Sequence, residues 1–486
     1  MKLIYGVKDR PKAHQIILFA LQQLLAILAA TIAVPAVVNG AIADAIAEYG
    51  VEIPYLSQSA ALFGAGAGTI IYLLFTKFKS PVFLGSSFAF LGSMMAAFAG
   101  GVSAALGYLG ILLGACFAGV VYIVIAIVVK FAGVKWIDKI MPAVVIGPTV
   151  AIIGLSLAGN AIGDLSSGSV FNAAGDMLCS PYLALTCGLV TLAVTILCSV
   201  YGKKMLKMIP FIIGILAGYA YAALLTGIGF AANIDAFKII DFTKFQSMQW
   251  YPDFSFITAF VKADYSAGEG GSIGAYIGMI AVAYVPVAFV VFAEHLADHK
   301  NISSIIENDL LKEPGLTRTL LGDGVGSVVG SFFGGCPNTT YGESVGCVAI
   351  SGNASVITIF ATAIMAMFAS FLAPFVTFLA TIPACVMGGV CIALYGFIAV
   401  SGLKMIQKVD LGDNRNLFTV SVILIVGVGG MTLTFGQVTV TEVACALILG
   451  ILTNMIVNRG NKKEKKEKQE GSSDEQPVEQ DASKEE

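Results

Sequence analysis

The sequence predicts an all-α polytopic membrane protein with about fourteen membrane-spanning segments, arranged as two inverted seven-span repeats. The prediction rests on an apolar composition, a regular succession of long apolar runs, and basic residues that recur in alternate loops. Of the 486 residues, 57% are hydrophobic and only 12% are charged, and the mean hydropathy is +0.86. Soluble domains carry about 25% charged residues, so a soluble globule is excluded.

Long apolar runs set the number of spans, because a helix needs about 20 apolar residues to cross the hydrocarbon core. Clear runs lie at 14–38, 57–76, 104–131, 140–160, 181–200, 208–230, 271–293, 355–381, 384–402, 417–436 and 440–457. Weaker segments at 80–99, 316–335 and 338–351 are interrupted by small, polar or charged residues. We expect these three to be short, broken or internally buried spans, because lipid does not tolerate irregular backbone.

Basic residues give the orientation, since cytoplasmic loops are enriched in Lys and Arg. With the N-terminus inside, the alternate loops that fall inside contain Lys77, Lys79, Lys203, Lys207, Lys312, Arg318, Lys404 and Arg415. Both termini are therefore expected in the cytoplasm. The segment 459–486, in which lysines precede acidic residues, is predicted to be a disordered cytoplasmic tail.

Several function classes are disfavoured by the same sequence. The formal net charge of −3 carries little information, because the charges are concentrated in short loops and in the tail, and no nucleic-acid partner is implied. The nine cysteines form no CxxC pair, and most lie in apolar runs, so redox chemistry is not expected. His295 and His299 are four residues apart, but Glu294 precedes them and no HExxH motif results, so neither a metal nor a cofactor is predicted. No nucleophile–base pair is recognisable, which disfavours an enzyme.

The two halves share a faint motif, which supports the inverted repeat. The third predicted span contains Pro81 followed by Ser86-Ser87-Phe88, and the tenth contains Pro337 followed by Thr339-Thr340-Tyr341. Interrupted segments at matching places in two halves indicate the central site of a transporter, where unwound backbone and helix N-termini bind a solute. The alternative is that the hydroxyls only satisfy backbone groups or pack helices.

Glu294 and Glu343 are placed at interruptions of the apolar sequence. An acidic group at bilayer depth costs roughly 2.5–3.5 kcal/mol, so it usually faces a cavity, a partner or a substrate. Asp298 is expected on the same helical face as Glu294, and two like charges there disfavour joint ionisation. We expect at least one of the pair to bind a proton near neutral pH. The alternative is that the Glu294 side chain snorkels to the cytoplasmic membrane–water interface near Lys300.

Four segments resemble the bacterial uracil permeases of the nucleobase:cation symporter family, also called nucleobase-ascorbate transporters. They are LGSSFAF (84–90), VFAEHLADH (291–299), NDLLKEPGL (308–316) and GCPNTTYGESVG (335–346). The resemblance runs from Arg10 to about Asn458. It implies a location in the bacterial plasma (inner) membrane, and short strands in the third and tenth spans.

The resemblance also implies a core domain and a gate domain, each built from both halves. The core comprises 1–133 and 233–375, the gate comprises 134–232 and 376–458, and the tail is 459–486. The core ranges contain spans 1–4 and 8–11, and the gate ranges contain spans 5–7 and 12–14. The family includes dimers, so a homodimer is one expected assembly.

The site residues come from the same resemblance. It places Glu294 and Glu343 at substrate-binding positions, Phe88 at the ring of the substrate, and backbone groups near Ala30, Tyr341 and Gly342 around it. Tyr395 on span 12 matches a gate position that faces the pocket. Asp323 is interpreted as a structural contact between helices and is left outside the site.

Two departures from the family pattern bear on mechanism and substrate. Some uracil carriers have His where this chain has Asp298, so the proton relay would use Glu294 and Asp298 rather than an imidazole. The family signature often has Asn where Ser344 follows Glu343, which bears on the hydrogen bonding of the pocket. Xanthine and urate carriers typically have Gln at the position of Glu343, so the resemblance favours a pyrimidine.

The sequence thus predicts a secondary active transporter that imports uracil with protons by alternating access. A xanthine or other purine nucleobase symporter is the alternative within the class. An anion exchanger or channel of similar fold is a further alternative, and it would need no titrating carboxylate pair.

Overall fold

The structure is a computed structural model, and its description covers most of the chain. The described residues are 3–49, 56–133, 136, 141–172, 177–203, 205–248, 250, 254, 265–267, 271–333, 335–407, 409–435 and 438–458. The predicted tail at 459–486 lies outside them.

Helices dominate both halves of the chain. The first half contains α1 (Ala13–Tyr49), α2 (Gln58–Phe75), β1 (Leu84–Ser86), α3 (Leu91–Ala96), α4 (Ala104–Ala132), α5 (Ala143–Ser156), α6 (Ala158–Asp164), α7 (Pro181–Tyr201), α8 (Met205–Met208) and α9 (Pro210–Ala232). Two short 3₁₀ turns follow, at Asp235–Phe237 and Phe242–Ser247. The second half contains α10 (Ile273–Ile306), α11 (Leu316–Phe332), β2 (Asn338–Thr340), α12 (Gly342–Ser351), α13 (Val356–Ala369), α14 (Ala373–Thr381), α15 (Ala384–Ile406), α16 (Asn414–Val428), β3 (Leu433–Phe435), β4 (Val438–Val440) and α17 (Glu442–Val457).

The all-α membrane class is confirmed. Among the described residues, eight helices are long and apolar enough to cross a membrane, or nine spans if the bent pair α13 and α14 counts as one. Large apolar side chains are exposed along the outer faces of α4 and α7, including Ile123, Val124, Ile127, Ile196 and Leu197. Such continuous apolar exposure is incompatible with water and is expected where a helix faces lipid.

All three weaker segments are short, broken or internally buried, as predicted. The segment 80–99 folds as β1 followed by the short helix α3, and 338–351 begins with β2 and continues as α12. The short strands that the family resemblance implied are therefore present. The third segment, 316–335, forms a short helix, α11, that is largely buried, which is the internally buried span that was also expected.

Three elements differ from the sequence prediction. The run 355–381 does not form one helix, because it bends by 82° between α13 and α14, where Pro374 in the first turn of α14 cannot donate a helical hydrogen bond. The antiparallel pair β3–β4 was not predicted. Glu294 does not lie at an interruption, because α10 continues to Ile306. Polar partners inside the protein let the helix extend beyond the apolar run that the sequence marks.

The larger helices pack mainly within two groups. In one group α11 packs against α2 and α4, α13 against α1 and α2, and α10 against α4. In the other, α15 packs against α5 and α7, α9 against α7, and α16 against α5 and α17. Smaller contacts join the groups, and α10 reaches α5, α17 and β4 across the boundary.

Close helix approach in the first group depends on Gly64 of α2 and Gly330 of α11. A Cβ added at Gly64 would lie 2.7 Å from the carbonyl oxygen of Gly330, which is backbone and cannot move aside cheaply. The buried amide of Asn338 in β2 donates a hydrogen bond to the Gly64 carbonyl at 3.0 Å. The helix contact therefore also fixes the position of β2.

Gly64→Ala is predicted to destabilise the protein by about 1–3 kcal/mol, because the added methyl overpacks a rigid contact. The matched control is Gly159→Ala, where an added Cβ meets nothing within 4 Å. Thermal unfolding of purified protein in detergent should show a lowered midpoint for Gly64→Ala and an unchanged or raised one for Gly159→Ala. Equal midpoints for both variants would contradict the packing described here.

Candidate functional site

Two interrupted segments meet through the antiparallel pair β1–β2. Its register places Leu84 opposite Thr340, Gly85 opposite Thr339, and Ser86 opposite Asn338. All six residues are buried, and the Ser87 N–H adds a further bond to the carbonyl of Pro337 at 2.9 Å. The pair satisfies backbone groups that would otherwise be unbonded inside a membrane.

Glu294 and Asp298 are one helical turn apart on α10, and both are partly buried. Together with Glu343 they are close enough for their charges to interact. Asp298 is held by Thr340 of β2, whose hydroxyl donates to its Oδ2 at 2.9 Å. The strand pair and the acidic face of α10 are thus connected directly.

Glu343 lies in the first turn of α12, immediately after β2. Gly342 before it is exposed, although the neighbouring residues are largely buried, and a Cβ there would lie 3.8 Å from Asp298 Oδ1. The first N–H groups of a helix have no partner within the helix, so this end can donate hydrogen bonds to a polar solute. Backbone donors and a carboxylate therefore lie side by side here.

Ser344 fixes this helix start to two other elements. Its hydroxyl oxygen accepts hydrogen bonds from Gln23 Nε2 of α1 at 2.6 Å and from the Phe83 N–H at 3.1 Å. Ser344 is fully buried and Gln23 is 3% exposed. The residue that departs from the family signature is thus a structural junction between α1, the start of β1 and α12.

Aromatic side chains link the two helix groups. Phe88, between β1 and α3, meets Tyr395 of α15 edge to face with ring centroids 5.8 Å apart. The Tyr341 hydroxyl donates to the Ser86 carbonyl at 2.8 Å, which holds that ring beside β1. Ala30 is buried on α1, a helix that packs against both β1 and α12. The structure therefore brings Phe88 and Tyr395 into contact, and it places Ala30 on a helix that contacts both β1 and α12.

Two cavities lie between the helix groups. One of about 510 Å³ is lined by α10 residues Ala293, Leu296, Ala297, Lys300, Asn301 and Ser304, together with residues of α5 and α15. The other, of about 190 Å³, is lined by Phe88, Ala89, Leu91, Gly92, Ser93 and Met95 on one side and by residues of α5, α6 and α17 on the other. The larger cavity is lined by Ala293, the residue before Glu294, and the smaller one by Phe88 itself, so each cavity reaches an element that carries a candidate site residue.

The two histidines of α10, each one position after a carboxylate, make hydrogen bonds to other groups of the protein. His295 lies 2.7 Å from Asp323 Oδ2 and 3.0 Å from Thr319 Oγ1, both on α11. His299 Nδ1 donates to the carbonyl of His295 at 2.8 Å, and its Nε2 lies 2.7 Å from the Tyr72 hydroxyl. Every ring nitrogen of this pair has a protein partner, so the two side chains tie α10 to α11 and α2.

Sequence reasoning missed Gln23 and the link between His295 and Asp323. Gln23 carried a usable signal, because it interrupts the apolar run 14–38 with a polar pair, Gln22-Gln23. Asp323 was interpreted as a contact between helices, and its bond to His295 of α10 is such a contact. Its partner could not be identified from spacing, since 28 residues separate the two.

The protein is polytopic and helical, and its interrupted segments meet beside partly buried carboxylates. These features together are typical of a membrane transporter. The family model Xan_ur_permease, described as "Permease family", matches residues 14–436. The chain belongs to this family of nucleobase permeases, which is a family of transporters and not of enzymes.

Curated relatives match nearly the whole chain. A uracil permease of Bacillus caldolyticus is 37% identical over 460 residues, which cover 94% of this chain and 95% of the relative. A uracil permease of Bacillus subtilis (strain 168) is 36% identical, with 94% and 95% covered. A uracil permease of Escherichia coli (strain K12) is 34% identical, with 93% of each chain covered.

Solved structures share the fold at low sequence identity. The transmembrane domain of the cyanobacterial bicarbonate transporter BicA superposes with a TM-score of 0.52 at 14% identity, covering 93% of this chain and 98% of that one. The murine anion transporter Slc26a9 in the inward-facing state gives a TM-score of 0.59 at 12% identity, covering 93% of this chain and 69% of that one. At such identity the likeness concerns the fold alone.

Ser344→Ala is predicted to destabilise the protein by about 1–3 kcal/mol, because it leaves the buried Gln23 amide and the Phe83 N–H without their acceptor. The matched control is Ser156→Ala, whose hydroxyl, among the residues that the structure describes, donates to the Ile153 carbonyl of its own helix and to no other group. Thermal unfolding of both variants measures the difference.

A double-mutant cycle isolates the contact between Gln23 and Ser344. Gln23→Met removes the donor, so Ser344→Ala should cost less in that background than in the wild type. Strict additivity of the two substitutions would show that the bond does not form.

Proposed function

We propose that this permease imports uracil together with protons across the bacterial plasma membrane. The observation that carries the proposal is the meeting of Glu294 and Asp298 of α10 with Glu343 at the start of α12, linked by the bond between Thr340 and Asp298. The uracil permeases that match over nearly the full chain support the substrate.

Uracil fits the chemistry of this arrangement. It offers two ring N–H donors and two carbonyl acceptors. A carboxylate such as Glu294 or Glu343 accepts from a ring N–H in a charge-assisted bond, and backbone N–H groups near Gly342 and Tyr341 donate to the carbonyls. Phe88 and Tyr395 close over the ring, while Ala30 bounds the pocket. These roles follow the family resemblance together with the positions described above.

Proton coupling would use Glu294 and Asp298. Two negative charges in a buried site are unfavourable, so protonation of one carboxylate relieves the repulsion between them. A carboxylate can then accept a hydrogen bond from the substrate or donate one to it. Import then requires that proton and uracil bind and leave together.

Alternating access would arise from movement of the core domain against the gate domain. The proposed boundaries are 1–133 and 233–375 for the core, and 134–232 and 376–458 for the gate. The two groups of helices and the cavities between them support this division. In this proposal about fourteen spans form two inverted seven-span repeats, with both termini in the cytoplasm.

The alternatives concern the substrate and the coupling. A xanthine or other purine symporter would use the same fold and a similar site. An anion exchanger or channel of similar fold is a further alternative, but it would not need the carboxylate pair. A homodimer would be compatible with either function.

Glu294→Gln is predicted to lower uracil uptake at least about tenfold, since a charge-assisted hydrogen bond contributes about 1.5–3 kcal/mol. The stimulation of uptake by low external pH should disappear with it. Labelled uracil uptake into cells without their own uracil carrier, at about pH 5.5 and about pH 8, measures both effects.

The matched control is Glu307→Gln, the same charge change at the exposed C-terminal end of α10. It should transport like the wild type. Full pH-stimulated uptake by Glu294→Gln would contradict the proposed coupling. Suppression of wild-type uptake by excess unlabelled xanthine would transfer the assignment to a purine carrier.

A further inference from the structure

A fully buried histidine–aspartate pair lies behind the acidic face of α10. His295 and Asp323 are both 0% exposed. His295 Nδ1 is 2.7 Å from Asp323 Oδ2, and His295 Nε2 is 3.0 Å from Thr319 Oγ1. The other carboxyl oxygen, Asp323 Oδ1, has no hydrogen-bond partner among the residues that the structure describes.

Hydrogen counting limits the protonation state of this pair. Thr319 Oγ1 donates to the carbonyl oxygen of Leu316 at 3.0 Å, and a carbonyl can only accept. The single hydroxyl hydrogen of Thr319 is thereby used, so its oxygen accepts from His295 Nε2. Because Nε2 then carries a hydrogen, the short contact between Nδ1 and Asp323 Oδ2 requires a second hydrogen between them. Without that hydrogen two acceptors would face each other.

The opposite arrangement is less favourable. If Thr319 donated to Nε2 instead, Nδ1–H would donate to an ionised Asp323. That carboxylate would bear a full charge in a site closed to water, with Oδ1 unbonded, and such burial costs more than one hydrogen bond contributes. A pair that shares one proton is neutral overall, and a neutral carboxyl group tolerates an unbonded oxygen better than an anion does.

We propose that His295 and Asp323 hold between them one proton that does not exchange during transport, and that with Thr319 they fix the rotation of α10 against α11. His295 is a positioning residue in this scheme. Positions 294 and 298 lie on one helical face and 295 and 299 on the adjoining face, so bonds made by His295 set where the carboxylates point. The exchanging proton is then left to Glu294 and Asp298, a point that rests on the proposed function.

Other titratable groups lie near the pair on several elements. On α10 these are Glu294, Asp298 and His299, whose ring stacks on that of His295 with centroids 4.0 Å apart. Tyr122 of α4 has its ring centroid 6.5 Å from that of His295, and Tyr72 of α2 is bonded to His299. Glu343 of α12 is close enough to Glu294 for their charges to interact. A change of charge at any carboxylate would therefore be visible at the imidazole if the shared proton were free to move.

The direct test uses the full-length chain in lipid vesicles with ¹⁵N-labelled histidine. The sequence contains only three histidines, His14, His295 and His299. His14→Gln and His299→Gln remove their own signals and thereby assign that of His295. We expect a protonated Nε2 whose signal is constant from about pH 5.5 to about pH 8.5, without substrate. An Nε2 atom without a hydrogen, or a His295 signal that titrates in this range, would overturn the proposal.

The positioning role is tested by Thr319→Ser and Thr319→Val. Serine keeps the hydroxyl and should remain within about twofold of the wild type in uracil KM, whereas valine removes the acceptor and should raise KM about tenfold. The pH profile of uptake should be the same in all three proteins. An unchanged KM in Thr319→Val, or a shifted pH profile, would overturn the role. Failure of the wild type to transport uracil would instead reject the proposed function, and the imidazole signal would still decide the state of the pair.

Discussion

The antiparallel pairing of Leu84–Ser86 with Asn338–Thr340 is the contact on which the site depends. Each of these strands interrupts a segment that would otherwise be a helix, and backbone groups released from a helix inside a membrane must find partners. The two interruptions provide partners for each other. The same pairing brings α12, and with it Glu343, beside the acidic face of α10, and Thr340 bonds to Asp298 across the short distance that remains.

The support for this pair extends outward through small residues and buried polar side chains. Gly64 and Gly330 allow two helices to touch, and Asn338 bonds to the same backbone. Gln23 and Ser344 connect α1 to the start of α12. Buried polar contacts of this kind are costly when one partner is removed, so they specify one arrangement of the interrupted segments. The carboxylates are thus presented by a rigid framework, while the aromatic contact between Phe88 and Tyr395 spans the boundary with the other group of helices.

Composition and apolar periodicity were sufficient for the membrane class and for most helices, because lipid imposes strong constraints on length and polarity. They failed where the local sequence stays apolar across a bend, as between α13 and α14, and where a helix continues past its apolar run, as at Glu294. The strands at the centre were expected only through the family resemblance, since three-residue strands leave almost no periodic signal. The partners of Ser344 and His295 depend on tertiary contacts between residues hundreds or tens of positions apart, which spacing within a single sequence does not encode.

The proposed coupling is that uracil and protons move together through a site that contains Glu294. It is tested most directly in proteoliposomes that hold a pH-sensitive dye, with uracil added outside and no initial pH gradient. Coupled import should acidify the interior only when uracil is added, and this acidification should be absent in Glu294→Gln. Uracil entry without acidification, or acidification that persists in Glu294→Gln, would contradict it.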